Sequence, residues 1–170
     1  MAAKQVRVLG VDTSLRSTGL GLVECEGNRM SALEFGNIRV SPKAPVSEAL
    51  SRISASVQRV IDSYKPDAVA IEGIFYCRNV RTAVKLGEAR GVVISACADR
   101  ETPVFEYAPR KVKQAVVGYG SAGKEQVRSM LMRILGMREE PQEDAGDALA
   151  IAICHLHTLS SAMFTGAKPV

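Results

Sequence analysis

Four acids, Asp12, Glu72, Asp144 and Asp147, are the residues of this chain whose type and placement could do chemistry. Asp12 follows the apolar run VLGV and Glu72 follows AVAI, so each ends a segment that reads as a buried strand. An acid in that position lies at the carboxyl edge of a sheet, where α/β proteins commonly build their sites. Asp144 and Asp147 are three residues apart at the start of a stretch whose remainder, ALAIAICHL, is strongly apolar and reads as a buried helix. That spacing sets both on one helix face, near the partly positive N-terminus. Carboxylates converging in a half-buried space repel one another and raise each other's pKa unless cations neutralise them. Hard divalent ions that prefer oxygen, Mg2+ or Mn2+, suit such a set. Two of them roughly 4 Å apart can activate a water and stabilise the leaving oxygen of a phosphodiester. Taken singly, the acids have ordinary readings: a strand-end turn residue at Asp12, a loop acid at Glu72, a helix cap at Asp144. Taken together they indicate a divalent metal site, and spacing alone goes no further. Glu143, beside Asp144, can share or replace part of its duty.

The elements that must position these acids follow from the pattern of apolar residues. Val6 to Val11 reads as a strand rich in β-branched side chains, Gly19 to Glu24 as a second. Gly27-Asn28 then turns the chain into a third strand around Ala32 to Val40. Beyond a proline-containing loop, Ala49, Leu50, Ile53, Val57, Val60 and Ile61 recur at helical spacing, from Val46 to about Tyr64. Asp67 to Ile71 is a short strand, and a long helix runs from Asn79, its N-cap, to about Asp99. Val104 to Tyr107 is another strand, and helices follow over Pro109 to Val117, Lys124 to Leu135 and Glu143 to Leu159. Three meandering strands followed by alternating helices and strands predict an α/β fold. Its mixed central sheet, three antiparallel strands and then parallel ones, is flanked by helices. One domain over residues 1–163 is expected, with a disordered tail over 164–170. On the long middle helix Ala83, Gly87, Gly91 and Ser95 recur every four residues. Each glycine costs a helix about 1 kcal/mol relative to alanine, which close approach by a strand of the same chain or by a partner helix would offset.

The chain has 170 residues and a net charge of +4, from 22 basic and 18 acidic side chains. Between Phe75 and Met137 basic residues outnumber acids by 11 to 5. A polyanionic partner explains that imbalance, although a solvated basic face has the same signature. No apolar run reaches the roughly 20 residues of a membrane span, and the N-terminus has no apolar signal core. A cytoplasmic protein without a membrane partner is therefore expected. Cys25, Cys77, Cys97 and Cys154 are scattered and form no CxxC pair, which argues against a disulfide framework or a zinc ribbon.

The strings LGVDTSLRSTGLGLV, AVAIEGIF, AVKLGEARGVV, PVFEYAPRKVKQAVVGYGSAGKEQV and EDAGDALAIAICH, in that order and spacing over about Val6 to His157, resemble the RuvC family of Holliday-junction resolvases. The resemblance implies an RNase H-like fold, a homodimer and magnesium-dependent nicking of two symmetric strands at a four-way DNA junction, leaving ends a ligase can rejoin. It implies Mg2+, two ions per subunit with Mn2+ as a substitute, held by catalytic Asp12, Glu72, Asp144 and Asp147. It sets Arg110, Lys111, Lys113 and Lys124 near the junction backbone, and matches Phe75 to an aromatic that stacks on unpaired bases at the crossover. Such stacking contributes on the order of 1–3 kcal/mol per base, while a core role for Phe75 is the plain alternative. Ala83, Gly87 and Gly91 fall where a partner helix would pack, and the branch-migration helicase complex of the RuvA and RuvB proteins is an implied partner. One departure is visible: many relatives continue the first aspartate as Asp-Pro-Gly-Ser, whereas this chain has Asp12-Thr13-Ser14-Leu15. Its loop must turn with a different backbone conformation.

Other motifs have competing readings. Gly118 to Lys124, GYGSAGK, fits the first seven places of a phosphate-binding loop. Glu125 then stands where a hydroxyl would hold Mg2+, and the preceding segment reads as helix rather than strand. His155 and His157, with Cys154, lie on an apolar helix without a matching ligand pair, so packing or hydrogen bonding explains them, although His155 shares the stripe of Asp147. The strand-Asp-loop-strand opening also occurs in actin-like phosphotransferases and ATPases, which are normally longer and two-domained. A noncatalytic junction-binding module would keep the basic surface but has no reason to retain acids that repel phosphate.

Overall fold

The computed structural model describes residues 5–73, 79–160 and 168–170. Its sheet begins as an antiparallel meander of β1 (Gln5–Asp12), β2 (Ser17–Glu26) and β3 (Arg29–Arg39). Gly27, with φ at 62°, makes the tight turn between β2 and β3. α1 (Val46–Tyr64) then crosses to β4 (Ala68–Glu72), which pairs in parallel with β1. α2 (Val80–Ala98) crosses in turn to β5 (Val104–Tyr107), parallel to β4. The strand order is β3-β2-β1-β4-β5, the mixed sheet expected from the sequence. Among the described residues three more helices follow: α3 (Pro109–Val117), α4 (Lys124–Leu135) and α5 (Glu143–Ser160). β2 and β3 run further than their apolar patterns suggest, because Arg29 and Met30 continue the ladder opposite Glu26 and Cys25.

Alternation along the strands divides the core into two faces. On one, Leu9, Val11, Leu22, Val69 and Ile71 pack on Ile53 and Val57 of α1 and on Ala89 and Val93 of α2. On the other, Val8, Val23 and Ala70 meet Leu149 and Ile153 of α5, with Val112 of α3 and Leu131 of α4 beside them. Asp12 and Glu72 share the alternation of Val8 and Ala70 and so end their strands on the α5 face. That helix lies unusually close to the sheet. Gly10 and Gly21 are cross-strand partners. A Cβ on Gly10 would sit 1.9 Å from the carbonyl oxygen of Ala148, and one on Gly21 2.6 Å from the amide nitrogen of Leu149.

The loop after Asp12 is secured without Pro-Gly. Leu15 is buried against Val40 and Ala49, and the Thr18 hydroxyl accepts from the Ser14 amide at 3.3 Å while donating to the Ser14 carbonyl. Asn79 caps α2 as expected, its side chain accepting from the Thr82 amide at 3.2 Å. Gly87 and Gly91 have open space where a Cβ would be, and Val80 and Val84 on the same helix are 78% and 54% exposed. Among the described residues, no strand packs over those glycines. Phe75 lies outside the described residues, as does much of the segment after α5; at the far end, the Val170 amide donates to the Val104 carbonyl at 2.8 Å. No helix among the described residues is long and apolar enough to cross a membrane.

Candidate active site

β1 and β4 are parallel neighbours with Val11 opposite Ile71, so the next residue of each, Asp12 and Glu72, leaves the sheet's carboxyl edge beside the other. Asp147, one turn into α5, joins them in a cleft of about 290 Å³. Lys113 from α3, Lys124 and Arg128 from α4, and Glu143 also line it, over apolar walls that include Val112, Leu131 and Ile151. The cleft therefore brings acids from three separate segments against bases from two others.

The acids act on one another. Burial, and then Asp147, Glu72 and Asp144, push the Asp12 carboxyl up to about 7, against the pull of Lys124. Burial and Asp147 raise Glu72, which Lys113 opposes. Asp147 is raised by desolvation within the cleft, with Glu143 and Asp144 adding to it and Lys124 and Arg128 working against it. Mutual elevation of this kind means that the negative charge is undercompensated, and the donors are all oxygen, the set that hard divalent cations favour. The residues fit such an ion. Among the described residues no three acidic, histidine or cysteine side chains already close around a common point. The acids are coupled through their fields without forming a finished cage.

Asp144 differs from its companions. It is absent from the cleft lining, and its Oδ2 accepts from Asn37 Nδ2 at 2.7 Å and from the Ser17 hydroxyl. Of the four basic residues matched to the junction backbone, Lys113 and Lys124 line the cleft. Lys124 forms an exposed ion pair with Glu143 at its mouth. Arg110 and Lys111 are exposed just outside it. Arg110 lies against Gly120, where a Cβ would come within 2.3 Å of its Cγ. Lys111 Nζ sits 5.3 Å from the Tyr107 ring centroid, a cation–π distance.

Three contributors escaped the sequence reading as individual site residues. Arg128 lines the cleft and pairs with Glu140 at 2.6 Å; its place four residues after Lys124 on an amphipathic helix was the available signal. Ser17 and Asn37 offered none, since a serine and an asparagine on strands are ordinary surface residues until the fold sets them against Asp144. His155 is buried beneath the site, hydrogen-bonded through Nδ1 to the Tyr107 hydroxyl at 2.7 Å, with its pKa pushed down to about 4 by burial. His157 Nδ1 bonds the Ala115 carbonyl at 2.8 Å, so both histidines serve packing and hydrogen bonding. The loop after Gly118 joins α3 to α4, two helices, which removes the strand-loop-helix context of a phosphate-binding loop.

Comparison with known proteins agrees with this geometry. The family model described as crossover junction endodeoxyribonuclease RuvC matches residues 8–155. A relative of that name from Syntrophomonas wolfei is 44% identical over 160 residues, covering 94% of this chain and 93% of the relative. One from Trichlorobacter lovleyi is 48% identical over 153 residues, covering 90% and 86%. Among solved structures, T. thermophilus RuvC in complex with Holliday junction substrate superposes with a TM-score of 0.89 at 37% identity, over 97% of this chain and 99% of that one. The yeast mitochondrial Holliday junction resolvase Ydc2, at 12% identity and a TM-score of 0.64 over 92% and 80%, shares the fold.

Proposed function

This chain belongs to the RuvC family of crossover junction endodeoxyribonucleases, and from that premise we propose that it resolves four-way DNA (Holliday) junctions by paired symmetric nicks in homologous recombination and repair. The observation that carries the reading is the composition of one cleft. Asp12, Glu72 and Asp147 supply oxygen ligands, and Lys113 and Lys124 supply positive charge in the same cleft. A module that only bound DNA would not keep three acids of raised pKa where phosphate must lie.

In this reading Asp12, Glu72, Asp144 and Asp147 hold Mg2+, two ions per subunit, with Mn2+ as a substitute. The ions, when bound, supply Lewis-acid stabilisation and a water of lowered pKa for phosphodiester hydrolysis. The chain's own residues do the rest. Lys113 and Lys124 hold the scissile phosphate against the acids, while Arg110 and Lys111, just outside, take the flanking backbone. The apolar walls limit water in the cleft and strengthen each electrostatic contact. Phe75 follows closely after Glu72 in the sequence and is the proposed stacking aromatic.

Two cuts need two sites, which a homodimer provides. The exposed face of α2, with Ala83, Gly87 and Gly91 and the exposed Val80 and Val84, is the proposed pairing surface. The RuvA–RuvB branch-migration complex and a cytoplasmic location belong to the same reading. A synthetic four-way junction with mapped nick positions tests it. Symmetric nicks dependent on added Mg2+ are expected. A protein that never cuts, or that cuts linear duplex as readily as the junction, overturns it.

A further inference from the structure

Among the described residues, Asp144 is the one acid of the set that other side chains hold by hydrogen bonds. Ser17 opens β2 and Asn37 lies near the end of β3, so two strands reach the first turn of α5 from the sheet. Both donate to the same oxygen: Asn37 Nδ2 to Oδ2 at 2.7 Å, with the Ser17 hydroxyl beside it, and Asn37 Nδ2 also reaches Ser17 Oγ at 3.3 Å. Among the described residues, Asp144 Oδ1 accepts no hydrogen bond. The Asn37 amide cannot be turned the other way, because its carbonyl would then face a carboxylate. In this orientation Asn37 Oδ1 is buried without a partner. An amide left half unsatisfied in order to donate to one carboxylate oxygen marks a contact that the fold favours over its own solvation. The same strand secures the helix a second time, through Arg39 Nη2 to Gln142 Oε1 at 3.3 Å in the loop before α5.

We infer that Ser17 and Asn37 are positioning residues: they lock Oδ2 of Asp144 so that Oδ1 alone remains to close the metal cage with Asp12, Glu72 and Asp147. The inference rests on the reading of Asp144 as a site acid. One corner is fixed in advance by hydrogen bonds, and the incoming cation has only to draw the remaining carboxylates together. A carboxylate without the clamp rotates freely at the helix N-terminus and must be ordered again each time an ion binds.

The test is Mn2+ titration of the full chain, followed by the electron paramagnetic resonance of free Mn2+, with thermal unfolding in chelator as a control. Asn37→Ala and Ser17→Ala should each weaken Mn2+ binding by roughly 10-fold, the usual consequence of removing a hydrogen bond to a ligating group. Ser17→Thr, which keeps the hydroxyl, should restore it. Junction cleavage by the alanine variants should need correspondingly more Mg2+ but approach the parental rate at saturation, and junction binding in chelator should be unchanged. Asp144→Asn separates the two readings. If it fails to weaken Mn2+ binding, the assignment of Asp144 is wrong. If it does weaken binding while Asn37→Ala and Ser17→Ala bind Mn2+ as the parent does, or lose affinity only in step with lost folding, the clamp is structural and this inference alone is overturned.

Discussion

Gly19 and Asp144 touch where no other residue could replace the glycine: a Cβ on Gly19 would lie 1.9 Å from the Asp144 carbonyl oxygen. Gly19 is also the ladder partner of Asp12. The backbone position that sets how closely α5 approaches the sheet is therefore the one directly opposite the first acid. The separation between Asp12 on the sheet and Asp147 on the helix is fixed by the absence of a methyl group.

Gly19→Ala should consequently displace the first turn of α5, since the obstructing atoms are backbone and cannot rotate away. Overpacking of this kind costs about 1–3 kcal/mol, so a lowered melting temperature should accompany a large loss of cleavage. Gly36→Ala on β3 has nothing within 4 Å of the new methyl and serves as the control. Equal melting temperatures and equal cleavage for the two variants would contradict the role assigned to Gly19.

Asp12→Asn should abolish cleavage while sparing junction binding, because the carboxylate is proposed as a metal ligand and contributes only repulsion toward phosphate. The same change should stabilise the metal-free protein at neutral pH, by about 1–2 kcal/mol once solvent in the cleft is allowed for. It removes the charge that burial, Asp147, Glu72 and Asp144 all disfavour. Saturating Mg2+ should narrow that difference, since the ion stabilises the parental site. Chemical denaturation in chelator and in Mg2+ measures both parts, and a variant less stable than the parent in chelator would show that the acids are not in conflict.

The mixed sheet, its helices and the cleft acids Asp12, Glu72 and Asp147 were legible because each leaves a periodic or positional trace. VLGV and AVAI alternate into two faces and end in acids, and ALAIAICHL can only be a buried helix. Asp144 was legible as an acid at a helix start, but its hydrogen bonds to Ser17 and Asn37 join residues 127 and 107 positions apart, which local pattern does not reveal. The trench of Gly10, Gly19 and Gly21 was hidden for a related reason. A glycine in a strand carries no mark of what approaches it until the β1–β2 register pairs Gly10 with Gly21 and a helix is laid across them. The loop after Asp12 likewise turned on Leu15, whose partners Val40 and Ala49 lie far along the chain, while Thr18 ties down the Ser14 backbone within the loop.

His155 predicts a pH response in stability. Its folded pKa lies near 4, below the ordinary 6.5, so the unfolded chain binds the proton first as pH falls. The contribution is present above about pH 6.5 and is lost as pH falls toward 4, up to roughly 3 kcal/mol for a shift of this size. Urea midpoints of the parent should thus fall over that window more steeply than those of His155→Gln, which cannot titrate. Parallel curves for the two proteins would mean that His155 is protonated while still bonded to Tyr107.

Glu143 predicts a gain of binding. Its pair with Lys124 is exposed at the mouth of the cleft, so in the free protein the lysine that would meet phosphate already has a partner. DNA must displace that carboxylate, and it meets the remaining negative charge as well. Removing the competitor by Glu143→Gln should tighten junction binding in chelator about two- to fivefold, the modest scale of an exposed pair. Lys124→Gln should weaken binding and flatten its dependence on salt by about one unit of slope. If Glu143 acts through Lys124, the double variant should bind like Lys124→Gln alone, because no lysine is left to release. Fluorescence anisotropy of a labelled junction across a salt series measures all four proteins. Additive effects in the double variant would instead show that Glu143 repels the DNA directly, with the lysine as a bystander.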